Sequence, residues 1–282
     1  MKRGPGAADG VVVLGTWLGG YRLLERLGSG GHGEVFLARA ASHRAAPVAV
    51  KVLGSPTAAR RARLAQEAAV LATIDHPHVV PFVDLIDDDE TTALVMGYAR
   101  GGSLADRLTG GTGGAGGTGG ALTVGAAVDL ALRLSEALQE VHDAGLIHGD
   151  VKAANVLFTS GGHPMLGDFG VAGWAGEDWS VAPQASGWFS SPEHAAGRNA
   201  DRSSDVYGLA ACVVAALGGS PQVRGPHRLP AQCVEDLPLS SALARVLRTA
   251  VAIDPQERFP TARSFGAALA AAGRGPVRRP RS

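Results

Sequence analysis

Asp150, Lys152, Asn155 and Asp168 bring a carboxylate, an amine, an amide and a second carboxylate into one short stretch. Apolar runs frame them, Gly145-Leu146-Ile147 before and Val156-Leu157-Phe158 after, and runs of that kind read as short buried strands. Such strands would hold the polar groups at the floor of a cleft. One carboxylate there can take a proton from a hydroxyl. The other, with the amide oxygen, offers hard oxygen ligands of the kind Mg²⁺ takes.

Composition strengthens the case for two of these residues. Of the 26 basic residues only Lys2, Lys51 and Lys152 are lysines, and Asn155 and Asn199 are the only asparagines. A chain that uses arginine for generic positive charge keeps lysine where a compact ammonium is needed and a guanidinium fork does not fit. Lys152 and Lys51 are therefore candidates for chemistry, and so is Asn155.

Elements that could position these groups fall into two sets. From Tyr21 the chain reads as strands over 21–27, 34–40 and 47–53, a helix from an N-cap at Thr57 to about Thr73, and strands over 79–86 and 91–96. After Ala99 the pattern becomes helical. A short helix is expected over 103–108, and a long one capped by Thr123 with Val124, Val128, Ala131, Leu134, Leu138 and Val141 at helical spacing. Further helices are expected over 205–217, apolar nearly all round, and over 240–252 and 261–272. The expected division is an extension at 1–20, a β-rich lobe at 21–97, a helical lobe at 98–272 with a Gly/Thr-rich insert at 109–120, and an Arg-rich tail at 273–282. The fold class is α+β, bilobal, with a cleft at the junction.

Two further motifs lie in the β-rich part. Gly28-Ser29-Gly30-Gly31-His32-Gly33 satisfies G-x-G-x-x-G, but so do Gly111, Gly113 and Gly116 of the insert. With 40 glycines in the chain, about one chance match is expected. Context separates them: only the first lies between strands, as a hairpin tip whose N–H groups can close over phosphates. A dinucleotide-binding turn would open into a helix, and Glu34-Val35-Phe36-Leu37 reads as a strand. Val48-Ala49-Val50-Lys51 follows, where Lys51 would meet phosphate oxygens if a carboxylate held its ammonium. Glu67 on the next helix is the candidate.

Composition also bounds the setting. A formal net charge of zero points away from a nucleic-acid partner. The longest apolar stretch, 207–217, is about half a membrane span, and Cys212 and Cys233 show no metal-type spacing. The expectation is a cytoplasmic protein with buried thiols.

Taken in order, Asp150-x-Lys152-x-x-Asn155, Asp168-Phe169-Gly170, the glycine loop and Val48-Ala49-Val50-Lys51 resemble the motifs of a bacterial Ser/Thr protein kinase of the eukaryotic (Hanks) type. The resemblance runs from Tyr21 to about Ala272 and includes Ser191-Pro192-Glu193, Asp205-Val206-Tyr207-Gly208-Leu209 and Arg258. It implies transfer of the γ-phosphoryl of ATP to Ser/Thr hydroxyls of proteins. Asp150 would be the base, Lys152 would neutralise charge on the transferred group, and Asn155 and Asp168 would hold Mg²⁺ or Mn²⁺. ATP would be bound by Leu27, the loop Gly28 to Val35 (Gly28, Ser29, Gly30, Gly31, His32, Gly33, Glu34, Val35), Ala49, Lys51 with Glu67, and Met96, Gly97, Tyr98 and Ala99. It further implies a Glu193–Arg258 pair and protein substrates, with a homodimer where autophosphorylation occurs.

The sequence also departs from that family. His148-Gly149-Asp150 lacks the arginine that commonly receives an activation-loop phosphate, so activity independent of loop phosphorylation is expected. Ser180 and Ser186 are the acceptors in that segment, and Phe189 stands in for a tyrosine. His-Gly-Asp also occurs in phosphotransferases of the aminoglycoside type, which Lys152 and the Ser-Pro-Glu segment oppose. A non-catalytic nucleotide-binding scaffold would have lost Lys51, Asp150 or Asp168, and all three are present.

Overall fold

The structure is a computed structural model and describes residues 14–30, 33–42, 45–53, 57–88, 91–110, 120–170, 172–174, 187–219 and 228–273. Gly31, His32, Ser180 and Ser186, most of the insert and the Arg-rich tail lie outside the described residues. The chain divides into two compact units, Met1–Asp75 with Val80–Ala99, and His76–Val79 with Arg100–Ser282.

The first unit is built on an antiparallel sheet. Its strands are β1 (Trp17–Leu18), β2 (Tyr21–Gly30), β3 (Gly33–Ala40), β4 (Val48–Val52), β5 (Phe82–Asp87) and β6 (Thr92–Gly97), in the order β1-β2-β3-β4-β6-β5. Its core gathers Leu23, Phe36, Val50, Val52, Ile86 and Val95, the alternate inward positions that a period of two produces. One helix, α1 (Ala58–Thr73), starts at Thr57, whose hydroxyl accepts from the Arg60 amide at 3.3 Å. It buries Leu64, Glu67, Ala68 and Leu71.

Two sequence expectations change here. The stretch 1–20, expected to be a loose extension, contributes β1, which pairs with β2 through Trp17↔Arg22 and Leu18↔Tyr21. Gly19 and Gly20 turn at φ +50° and +90°, the geometry a two-residue hairpin turn demands. The strand expected over 79–86 begins only at Phe82. Val79 instead bridges Leu166 in parallel and belongs to the second unit.

The second unit is mainly helical: α2 (Leu104–Thr109), α3 (Val124–Asp143), α4 (Pro192–Ala195), α5 (Arg202–Val214), α6 (Pro230–Val234), α7 (Ser241–Ala250) and α8 (Ala262–Gly273). Short strand pairs are formed by β7 (Leu146–Ile147) with β10 (Gly173–Trp174) and by β8 (Val156–Phe158) with β9 (Pro164–Leu166). Helix α3 packs against α8 and α5. From Ser204 to Val214 every residue of α5 is buried, as its nearly continuous apolar sequence requires. It begins three residues earlier than expected, because Asp201 and Ser204 form a reciprocal capping box. Helices α4 and α6 are too short for a periodic signal, and both start at proline.

Candidate active site

In the first unit, Lys51 lies in β4, all five residues of which are buried. Burying an ammonium is costly unless it is paired. Lys51 is 5% exposed, and its Nζ donates to Glu67 Oε1 at 3.0 Å and Oε2 at 2.8 Å. Glu67 is itself buried at 2% exposure on α1. The pair that the sequence put forward is formed.

The glycine motif occupies the β2–β3 hairpin, with Gly28↔Val35, Ser29↔Glu34 and Gly30↔Gly33 opposed. Gly33 has φ +119°, and a Cβ there would lie 2.3 Å from the Val52 carbonyl oxygen, so no other residue fits. The Glu34 side chain accepts from Arg26 Nη1 at 2.8 Å. Val35 pairs with Lys51, and Ala49 with Met96, across neighbouring strands. Leu27 is exposed, while Ala49 and Met96 are buried. After β6 come Tyr98 and Ala99. The Gly97 amide donates to the Pro81 carbonyl at 2.9 Å, which takes that donor away from any ligand.

In the second unit, one loop and one hairpin bring four groups together. Asp150 Oδ2 accepts from Lys152 Nζ at 2.5 Å and from Asn155 Nδ2 at 3.2 Å. Asn155 Nδ2 also donates to the Asp150 carbonyl at 2.9 Å. Both partners can only accept, so the amide nitrogen must face Asp150 and the amide oxygen is the end left to bind a cation. Strands β8 and β9 pair with Val156 opposite Leu166, and the Gly167 amide closes on the Asn155 carbonyl at 2.9 Å. Asn155 and Asp168 therefore flank the same end of this two-stranded ribbon. Asp168 is the only non-glycine among the described residues with positive φ, at +60°. Aspartate tolerates that left-handed region better than most residues, and such outliers cluster at functional sites.

The loop is anchored from below. Asp205 on α5, 1% exposed, accepts from the Gly149 amide through Oδ1 at 2.8 Å and from the His148 amide through Oδ2 at 2.9 Å. Oδ2 also accepts from His142 Nε2 at 2.8 Å. Burial alone would raise the Asp205 carboxyl, but the His142 bond, the nearby imidazoles and the Gly149 amide outweigh it and hold it low. The His148 ring takes the Asp150 amide on Nδ1 at 3.3 Å, which leaves Nε2–H to donate to the Gly167 carbonyl at 3.2 Å. Phe169, 1% exposed, packs tilted against the His148 ring with 4.6 Å between centroids. The histidine thus ties the segment that carries Asp150 to the segment that carries Asp168.

The role of His142 is not evident from the sequence, because its partner lies 63 positions away. Asp205 carried a signal: a carboxylate in an otherwise apolar helix must have buried donors. The Glu193–Arg258 pair is also present, with Arg258 Nη1 and Nη2 each 2.7 Å from one Glu193 oxygen.

The second unit thus carries an Asp-Lys-Asn cluster beside a left-handed aspartate, and the first unit, by itself, a buried pair of Lys51 on β4 with Glu67 on α1. The chain belongs to the protein kinase family: the family model described as "Protein kinase domain" matches residues 21–263. It is similar to the serine/threonine-protein kinase PknJ of Mycobacterium tuberculosis, 32% identical over 284 residues and 93% of this chain. It is similar also to pkn2 of Myxococcus xanthus, 34% identical over 232 residues and 78% of this chain. Among solved structures it resembles the PknI kinase domain of Mycobacterium tuberculosis, with a TM-score of 0.70, 28% identity and coverage of 93% of this chain and 100% of that one. The expected α+β kinase fold is therefore correct. The chain spans 46% of the length of PknJ and 26% of pkn2. No helix among the described residues is long and apolar enough to cross a membrane.

Proposed function

We propose that the chain transfers the γ-phosphoryl of ATP to serine and threonine hydroxyls of protein substrates. The observation that carries this reading is the convergence of Lys152 Nζ and Asn155 Nδ2 on one oxygen of Asp150. That arrangement holds a carboxylate in a fixed orientation beside an amine. The substrate hydroxyl donates to Asp150, its oxygen attacks the γ-phosphorus, the bond to the bridging oxygen of ADP breaks, and the proton passes to the carboxylate. Lys152 balances negative charge on the phosphoryl oxygens in flight.

Asn155 and Asp168 fit a hard divalent cation, since the amide oxygen and a carboxylate at one ribbon end are oxygen donors. Mg²⁺ or Mn²⁺, if held by these two residues, would supply positive charge to offset that of the ATP phosphates. Lys51, held by Glu67, would bind the inner phosphates, and the β2–β3 hairpin would cover them with its amides. The adenine would be read by the Gly97 carbonyl and by Ala99, with Val35, Ala49 and Met96 around it. ATP chemistry and two buried thiols, Cys212 and Cys233, fit a cytoplasmic setting.

Incubation with labelled ATP and Mg²⁺, alone and with a generic basic protein, tests the reading. Phosphoserine or phosphothreonine is expected, with losses of about 10²–10⁴-fold in Asp150→Asn and a comparable loss in Lys51→Met. Nucleotide binding without any transfer, or transfer to small molecules only, would refute it.

A further inference from the structure

Gly187–Phe189 forms a single 3₁₀ turn just before α4. Gly187 stands at φ +55°, and the Ser190 amide closes the turn on the Gly187 carbonyl at 3.2 Å. The turn carries Trp188 and Phe189, whose rings meet edge to face with 5.2 Å between centroids. Phe189 and Ser190 line a pocket together with Gly149, Asp150 and His194, so this segment is a wall beside the proposed base. No arginine stands at 149 to draw the wall in through a phosphate, so its hold has to come from elsewhere.

The indole supplies it. Trp188 Nε1 donates to the Arg228 carbonyl at 2.6 Å, across 40 positions of sequence. An indole can only donate, and a half-buried one needs an acceptor. The Arg228 carbonyl is available because α6 does not use it. The amides of Gln232 and Cys233 both close on the Leu229 carbonyl, and Pro230, the first residue of α6, has no N–H. The acceptor is also held firmly. Arg228 Nη1 bonds Asp236 and Nη2 bonds the Gln232 carbonyl at 2.8 Å, while the Leu229 amide donates to Gln232 Oε1 at 2.9 Å. Pro230, Cys233 and Val234 are buried where α6 packs on α5 and α7.

We propose that Trp188 is a positioning residue for protein substrates: its indole N–H pins the 187–189 turn to the start of α6 and thereby fixes the wall of Phe189 and Ser190 beside Asp150. This rests on the proposed function. At its far end the same wall runs into α4, which the Glu193–Arg258 pair holds, so Trp188 is the second of two fastenings. A substrate chain that brings its hydroxyl to Asp150 passes along this wall. The residues proposed to bind ATP lie outside it, so loosening the wall weakens binding of the protein acceptor and not of the nucleotide.

Trp188→Phe keeps an aromatic ring and deletes the N–H, and Arg228→Ala frees the turn that carries the acceptor. Rates are measured per nucleotide-binding site, titrated with a non-hydrolysable ATP analogue, with a generic basic protein and ATP each varied at saturation of the other. Trp188→Phe is expected to raise the KM for the protein acceptor about three- to tenfold, the worth of one hydrogen bond, with kcat and the KM for ATP within about twofold. Arg228→Ala should shift the same constant in the same direction. The double variant should go no further than the larger single effect, because both changes act on one bond. Arg248→Ala, which removes a surface pair with Glu235 at 2.8 Å, should change none of the three constants. An unchanged acceptor KM in Trp188→Phe, effects of the two variants that simply add, or a loss that tracks missing nucleotide-binding sites overturns the positioning role alone. A wild type that binds nucleotide and transfers nothing overturns the functional reading, and this role with it.

Discussion

Arg258 grips both oxygens of Glu193 across 65 positions of sequence, Nη1 to Oε1 and Nη2 to Oε2 at 2.7 Å each. Both residues are 4% exposed. The guanidinium also bonds the carbonyls of Ala252 and Ile253, and Ser204 Oγ donates to Glu193 at 2.6 Å. A fork-to-fork contact of this kind is the geometry in which arginine and carboxylate pair best, and lysine could not replace it. It locks the short helix α4 to the start of α5 and to the turn before α8.

Removing one partner leaves a buried charge without compensation. Arg258→Met is therefore expected to cost about 3–5 kcal/mol, read as a shift of the urea midpoint at unchanged slope. Burial alone would raise the Glu193 carboxyl, but the Arg258 and Ser204 bonds bring it down from 4.5 to about 2. The unfolded chain binds the extra proton between these values, so this contribution is complete above about pH 4.5 and is lost as pH falls toward about 2. Glu193→Gln should flatten the pH dependence of stability across that window. An unaltered acid limb in the variant would contradict the assignment.

Gly149 adopts φ +76°, where a residue with a Cβ is strained by roughly 1–2 kcal/mol. Gly149→Ala is expected to lower stability by about that amount and to reduce turnover, since the turn aims two amides at Asp205. Because no arginine stands at 149 to receive a phosphate, phosphatase-treated protein should keep its activity. Loss of activity on treatment, assayed with a peptide substrate, would show that loop phosphorylation matters after all.

Ser135 is 2% exposed on α3, and its hydroxyl has no hydrogen-bond partner. A buried hydroxyl in that state carries an uncompensated desolvation cost. Ser135→Ala should leave the melting midpoint unchanged or raise it, by up to about 1 kcal/mol in stability. A clear drop in a thermal scan would mean that the hydroxyl is bonded in solution.

Cys212 is fully buried in α5, where burial, aided by the charge of Asp150, pushes its thiol well above the ordinary range. The thiolate is the reactive form. Folded protein treated with iodoacetamide at pH 8 should leave Cys212 unmodified by mass spectrometry, and urea-unfolded protein should be alkylated. Rapid native labelling would contradict this.

Much of the site was legible because chemistry constrains residue type. Asp150, Lys152 and Asn155 stand close together in sequence, so spacing alone nearly dictates that they meet. The caps Thr57 and Thr123 were legible, since a cap is a local bond, whereas Ser103 and Ser240, expected as first helical residues, are the caps of helices that start one residue later. Strand β1 was missed, although Gly19-Gly20 between apolar residues is a hairpin signal. Val79 was misplaced because an apolar run does not reveal which partner strand will take it.

The sequence by itself determined the family, the fold class and the identity of the polar groups. These follow from residue types at short spacing and from periodicity, which are local properties. Only the tertiary structure decided that Lys51 is neutralised by Glu67, that Asn155 turns its nitrogen toward Asp150, and that Asp205 of α5, itself bonded by His142 of α3, supports the loop. Those relations join residues distant in sequence, and they are set by where buried charges find partners and where packed atoms leave room.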